Sequence, residues 1–230
     1  MDLSQLSQEL REPEARFAML LALAEAFSQR PRRSWGYAPT EIELCRDLLP
    51  AVPDALAQWY FTVGRVPELT SMQNRLLAPD DLELKDGVAI LYVENQGCAF
   101  WGIPVEALSQ DDPPVVLGDA GDWRCEADAL SKFALTVGLS ELCLSGRRFN
   151  CSGMLDAAAR SALFAALPAA QVRPLQWPAD REACLRVDAK TVVLLEAEFL
   201  FAAGLQDDVA DYLAGCASPG RIIWQHRPRS

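Results

Sequence analysis

An α+β fold is what this sequence predicts, and two observations carry the prediction. Val88–Val93 and Cys98–Ile103 are continuous apolar runs of six residues joined by the polar turn Glu94–Gly97, the pattern of an antiparallel hairpin. On either side lie stretches whose apolar residues are spaced by three and four, at Ser7–Phe27 and Leu130–Val137, which predict helices.

The elements follow in order. Leu10, Phe17, Leu20, Leu21, Ala24 and Phe27 form an apolar stripe on the first helix. The Pro- and Arg-bearing stretch Ser28–Pro39 reads as a solvated linker. Thr40 and Glu43 have capping-box spacing and predict a short helix to about Leu49. Pro53 presets a helical turn, and Leu56, Trp59, Tyr60 and Val63 then make a face that stops at Gly64. After the hairpin, Asp111-Asp112-Pro113-Pro114 leads into a third strand, Val115–Leu117, and Leu130, Phe133, Ala134 and Val137 predict a helix ending near Gly138.

Beyond Gly146 the chain restarts with an Ala-rich helix, Ser152–Leu167, stopped by Pro168, and a strand near Gln171–Trp177. A hairpin Ala183–Glu198 turning at Asp188–Lys190, a segment Phe199–Ala203 that fits helix or strand, a helix near Asp207–Ala214 and a strand Arg221–Gln225 complete it. This divides the chain into an N-terminal helix and linker (1–39), a core domain (40–145) and a C-terminal extension of helices and strands (146–230), either packed on the core or forming a small second domain.

With 230 residues, half of them hydrophobic, the chain can bury roughly 70 to 75 % of its unfolded surface without disulfide or metal support. Seven cysteines without a CxxC pair, and an acidic start where a signal peptide is basic, predict a reducing cytoplasm. The apolar stretch Phe17–Ala24 is too short to span a membrane. Of the net charge of −11, the segment Asn74–Asp128 alone carries twelve acids against Arg75, Lys85 and Arg124. Such a field repels nucleic acid and anionic membranes and favours a basic protein partner.

Reactive chemistry is sparse. His226 is the single histidine, near the C-terminus, which offers little to a zinc site or a catalytic triad. Cys98 has no base beside it in sequence. Gly118-Asp119-Ala120-Gly121-Asp122 lacks the Lys and Ser/Thr of a phosphate loop, and the pairs Asp80-Asp81, Asp111-Asp112 and Asp207-Asp208 lack calcium-loop spacing. The pattern predicts a binding protein that is not an enzyme, with no cofactor and no small-molecule ligand. Two rivals remain: a general intracellular scaffold, and a hydrolase whose metal is held by Asp111, Asp112, Asp119 or Asp122.

"VPDALAQWYFTVG" (Val52–Gly64), "NRLLAPDDL" (Asn74–Leu82), "LYVENQGCAFWGI" (Leu91–Ile103) and "DPPVVL" (Asp112–Leu117), followed by Trp123 and a helix around Phe133, occur in the order of the landmarks of the SUKH superfamily. The chain resembles that superfamily over about Val52–Leu139. The resemblance implies a central, mainly antiparallel sheet flanked by helices, no enzymatic activity, and a cytoplasmic immunity protein that neutralises a bacterial toxin, often a nuclease, by stoichiometric binding. Trp101 and Gly102 match family landmarks, Glu94, Asn95 and Gln96 would crown the hairpin, and Glu94, Asn95, Gln96 and Trp101 are expected among the residues that bind the partner. The acidic face expected to meet the toxin comprises Asp80, Asp81, Glu83, Asp111, Asp112, Asp119 and Asp122, with Trp123 as its aromatic anchor.

Overall fold

The computed structural model describes residues 2–119, 121–145, 150–177, 183–205, 208–217 and 220–227. The protein has an α+β fold with two antiparallel sheets, in two compact units: Arg11–Glu141, and Met1–Leu10 together with Leu142–Ser230. The boundaries differ from the expected ones. The first ten residues group with the C-terminal third, and the linker groups with the core.

In the unit Arg11–Glu141, α1 is Pro13–Phe27, where Pro13 presets the first turn; the expected helix start at Ser7 instead ends a separate 3₁₀ turn, Leu3–Ser7, that belongs to the other unit. The next helix is capped two residues earlier than expected, at Ala38 rather than Thr40: α2 is Pro39–Ile42, and the Glu41 carboxylate accepts the Ala38 N–H at 2.8 Å. A second short turn, α3 (Cys45–Leu48), follows. Then come α4 (Asp54–Val63), bounded by Pro53 and Gly64 as expected, and α5 (Pro67–Thr70).

The strands are β1 (Arg75–Leu76), β2 (Glu83–Lys85), β3 (Val88–Val93), β4 (Ala99–Pro104), β5 (Val115–Asp119) and β6 (Asp122–Ala127). They form a sheet in the order β1-β3-β4-β5-β6, with β2 pairing with β3 as well. Helix α6 (Leu130–Leu144) runs straight through Gly138, the expected stop. A Cβ at 138 would lie 2.5 Å from Leu20 Cδ2, so this glycine permits close packing of α1 on α6.

The core of this unit is aromatic. Phe133 of α6 meets Trp59 of α4 at 6.0 Å and Tyr92 of β3 at 5.8 Å between centroids, and Tyr92 meets Trp101 of β4 at 5.4 Å, all edge-on. Glu141 is also fully buried here. Its carboxylate accepts the backbone N–H groups of Met72, Gln73 (2.6 Å) and Asn74 (3.1 Å) and the Tyr92 hydroxyl (2.6 Å). Burial pushes the Glu141 carboxyl above the usual range, against the pull of its four donors, and burial likewise raises Tyr92.

The second unit is built on β7 (Asn150–Leu155), β8 (Ala183–Val187), β9 (Thr191–Glu196), β10 (Phe199–Gly204) and β11 (Ile222–His226), in the order β11-β7-β10-β9-β8. Helices α7 (Ala157–Ala166) and α8 (Val209–Cys216) pack on it around Leu163, Leu195, Leu200 and Leu213. The expected hairpin at Asp188–Lys190 is present, and Phe199–Ala203 is strand. Two expectations fail. The start of the Ala-rich helix is β7, because Asp156 caps α7 by accepting the Ala159 N–H at 2.7 Å, and Gln171–Trp177 forms no strand. Asp207, expected at the start of α8, lies outside the described residues.

Replacing Glu141 by Ala leaves the buried Tyr92 hydroxyl and three part-buried backbone N–H groups without their acceptor. We expect a loss on the order of 3–5 kcal/mol in urea unfolding, partly recovered in Glu141→Gln, which keeps one acceptor oxygen.

Candidate functional site

Sheet register decides where the expected binding residues go. Ala99 pairs with Asp119, and Arg75 with Val93, so Asn74, the Glu94–Cys98 turn and the β5–β6 connection gather at one end of the sheet. The turn is tight because Gly97 takes φ of 71°. Glu94 does not crown it. At 5 % exposure, its carboxylate accepts the N–H groups of Gln96 (2.8 Å) and Cys98 (3.3 Å) and closes the turn from within. Asn95 and Gln96 are exposed and present their amides outward, the Asn95 N–H resting 3.4 Å from Asn74 Oδ1.

At the neighbouring connection, Asp119 is held by both guanidinium nitrogens of Arg124 at 2.9 and 3.1 Å, whereas Asp122 is exposed. Trp123 is half-buried rather than free-standing. It lies over Gly118, its partner across the strands, where an added Cβ would come within 2.6 Å of the ring. Ala120 lies outside the described residues.

Asp111 and Asp112 lie at the opposite end of the sheet. The strand Val115–Asp119 separates them from Asp119 and Asp122 by about 13 Å at the usual rise. The four carboxylates of the hydrolase alternative therefore do not converge. Among the described residues, no group of three or more His, Cys, Asp or Glu is placed to hold a metal ion.

Asp112 is part of the scaffold. It accepts the N–H (2.8 Å) and Oγ–H (2.6 Å) of Ser131 at the start of α6, and the buried Arg16 guanidinium stands 3.5 Å away while donating to Ser131 Oγ at 2.7 Å. Asp111 is exposed, and its carbonyl accepts the Ala55 N–H at 2.9 Å. Asp80, Asp81 and Glu83 are exposed along the β1/β2 edge, between the two ends. Trp101, 1 % exposed, belongs to the aromatic core and cannot reach a partner.

The expected single acidic face is thus spread over two ends and an edge. What persists is surplus charge. Asp80, Asp81, Glu83, Asp86, Glu106, Asp111 and Asp122 are exposed and carry no ion pair among the described residues. Asp128 is answered by Lys132 at 2.7 Å, a hydrogen bond that holds its carboxyl below the usual range.

Sequence reasoning missed β6 and the roles of Glu141 and Arg16. Strand β6 had a readable signal, since Trp123, Cys125 and Ala127 alternate with Arg124 and Glu126 at the period of a strand. Neither Glu141 nor Arg16 had one, because the donors to Glu141 lie 49 to 69 residues away and Ser131, which Arg16 engages, lies 115 residues away.

The two adjacent aspartates should separate cleanly in thermal or urea unfolding. Asp112→Ala is expected to cost about 2–3 kcal/mol by releasing Ser131 and Arg16, and Asp111→Ala to stay within about 0.5 kcal/mol. No family model, no curated protein and no solved structure matches the chain.

Proposed function

We propose that this chain is a non-catalytic binding protein that neutralises a cognate basic toxin by stoichiometric association, as SUKH-type immunity proteins do. The observation that carries the reading is the set of exposed carboxylates that have no ion pair among the described residues, placed around an antiparallel sheet in a segment whose formal charge is strongly negative. Two further features support it. The motifs that resemble the SUKH superfamily fall on α4, β1, β3, β4 and β5 of one compact unit. All seven cysteines are free, which fits work in a reducing cytoplasm. No helix among the described residues is long and apolar enough to cross a membrane.

Because the carboxylates occupy both ends and one edge of the sheet, their first effect is a long-range field. Such a field speeds the encounter with a cationic protein and repels nucleic acid that competes for the same basic cleft. The end carrying Asn95, Gln96, Asp122 and Trp123 then offers what a docked interface needs: polar groups on a short turn and an aromatic side chain. A nuclease or a nucleotide-targeting toxin has the basic cleft that this arrangement suits.

Capture from native extract, followed by titration against the captured polypeptide's activity, tests the proposal. Inhibition that is complete at one equivalent supports it, and binding without inhibition overturns neutralisation. With that partner, Asp80→Lys combined with Asp81→Lys is expected to lower the association rate by roughly tenfold at low ionic strength, and the difference should shrink as salt is raised.

A further inference from the structure

The two edges of the second sheet differ. Along β8 the stretch 168–170 fills the outer side: the Ala170 N–H donates to the Leu185 carbonyl and the Val187 N–H to the Pro168 carbonyl, each at 3.0 Å, and Ala169 bridges Arg186. Strand β11, at the other edge, pairs with β7 on one side, and among the described residues no segment pairs with its outer side. An open row of N–H and C=O groups of this kind is a template for another strand.

Alternation along β11 fixes what this edge presents. The Asp156 N–H donates to the Arg221 carbonyl at 3.2 Å, and the Ile223 carbonyl faces β7, its oxygen 2.9 Å from where a Cβ on Gly153 would stand. The main-chain groups of Ile222 and Trp224 therefore point away from β7. The side chains divide between the two faces. Ile222 and Trp224 pack on the core formed with α7 and α8, and Ile223, 54 % exposed, lies on the opposite face. There it extends an apolar row through its register partner Met154 to Phe199, both half-buried.

We propose that the outer edge of β11 is an interface with a second copy of this chain, paired antiparallel about a two-fold axis at Ile223. In that register Ile222 of each copy exchanges main-chain hydrogen bonds with Trp224 of the other, and the two Ile223 side chains meet on one face, joining the apolar rows. Three observations favour a second copy over another extended chain. The outward main-chain groups flank one exposed isoleucine symmetrically, as a self-complementary pair requires. The two Arg221 side chains fall at opposite ends of the pair, away from each other. The segment Leu142–Ser230 carries nine acids against ten arginines and lysines, so the surplus negative charge lies elsewhere in the chain. Because the β8 edge is covered, pairing stops at two copies.

Sedimentation of the full chain over roughly 1 to 300 µM tests this, and a monomer–dimer equilibrium with Kd on the order of 10 µM is expected from an interface of one short strand per copy. Ile223→Lys sets two ammonium groups opposite each other at an exposed position and is expected to weaken the dimer roughly tenfold or more, with the circular dichroism unchanged. Ile223→Cys is expected, under mild oxidation, to give a dimer that peptide mapping shows linked through position 223 of both copies, since residues opposed in a non-hydrogen-bonded pair lie close enough to bridge. A chain that stays monomeric at every concentration overturns the proposal and leaves the edge to a segment of another protein. A dimer that Ile223→Lys leaves unchanged, or a species larger than a dimer, also overturns it. Should Ile223→Lys not fold, the oxidised Ile223→Cys variant decides: a link through position 223 supports the pair, and its absence overturns it. None of these outcomes bears on neutralisation of a basic partner, which is read separately by inhibition.

Discussion

A buried carboxylate secures the unit Arg11–Glu141 at its least regular point. Between α5 and β1 the backbone bends through Ser71–Asn74 outside helix and sheet, where part-buried N–H groups of Met72, Gln73 and Asn74 find an acceptor off the backbone. Glu141 supplies it from α6, taking three successive N–H groups and the Tyr92 hydroxyl of β3. One side chain thereby ties helix, bend and strand together. The cost of burying it shows in its raised pKa, and the four donors offset much of that cost. The bend in turn sets where β1 begins, because Arg75, which follows Asn74, pairs with Val93. The placement of Asn74 Oδ1 beneath Asn95 at the exposed turn depends on the same anchor.

A second buried polar group plays a similar part at the other end of the sheet. Arg16 of α1 and Asp112 before β5 both engage Ser131, so the start of α6 is held by a cation, a carboxylate and a hydroxyl drawn from three distant segments. Polar residues of this kind belong to the scaffold even though their residue types suggest a surface. The exposed carboxylates differ: among the described residues, the side chains of Asp80, Asp81, Asp111 and Asp122 make no ion pair, which leaves their charge to act outward. This contrast between engaged and idle acids is the basis for reading the molecule as one that attracts a cationic protein.

Much of the fold was legible because its signals are local. The runs Val88–Val93 and Cys98–Ile103 with their four-residue turn specified β3 and β4, and Pro53 and Gly64 bracketed α4. Misreadings arose where one local signal has two physical causes. Gly138 resembles a helix stop but serves close packing with Leu20, and Ser152–Leu155 looks helical by its neighbours yet pairs with β10 and β11. The site was less legible than the fold. Glu94, Trp101 and Asp112 share residue types with surface-binding groups, and only burial and partners reveal that they are internal.

From the sequence alone came the α+β class, the hairpin, the negative charge and the shortage of reactive side chains, because composition and periodicity are properties of short stretches. Tertiary structure alone decided which acids are idle and which are engaged, since that depends on residues far apart in the chain. It also decided that the acids of one segment point to both ends of a sheet. Antiparallel strands reverse direction at every turn, so carboxylates close in sequence are carried about 13 Å apart by a single five-residue strand.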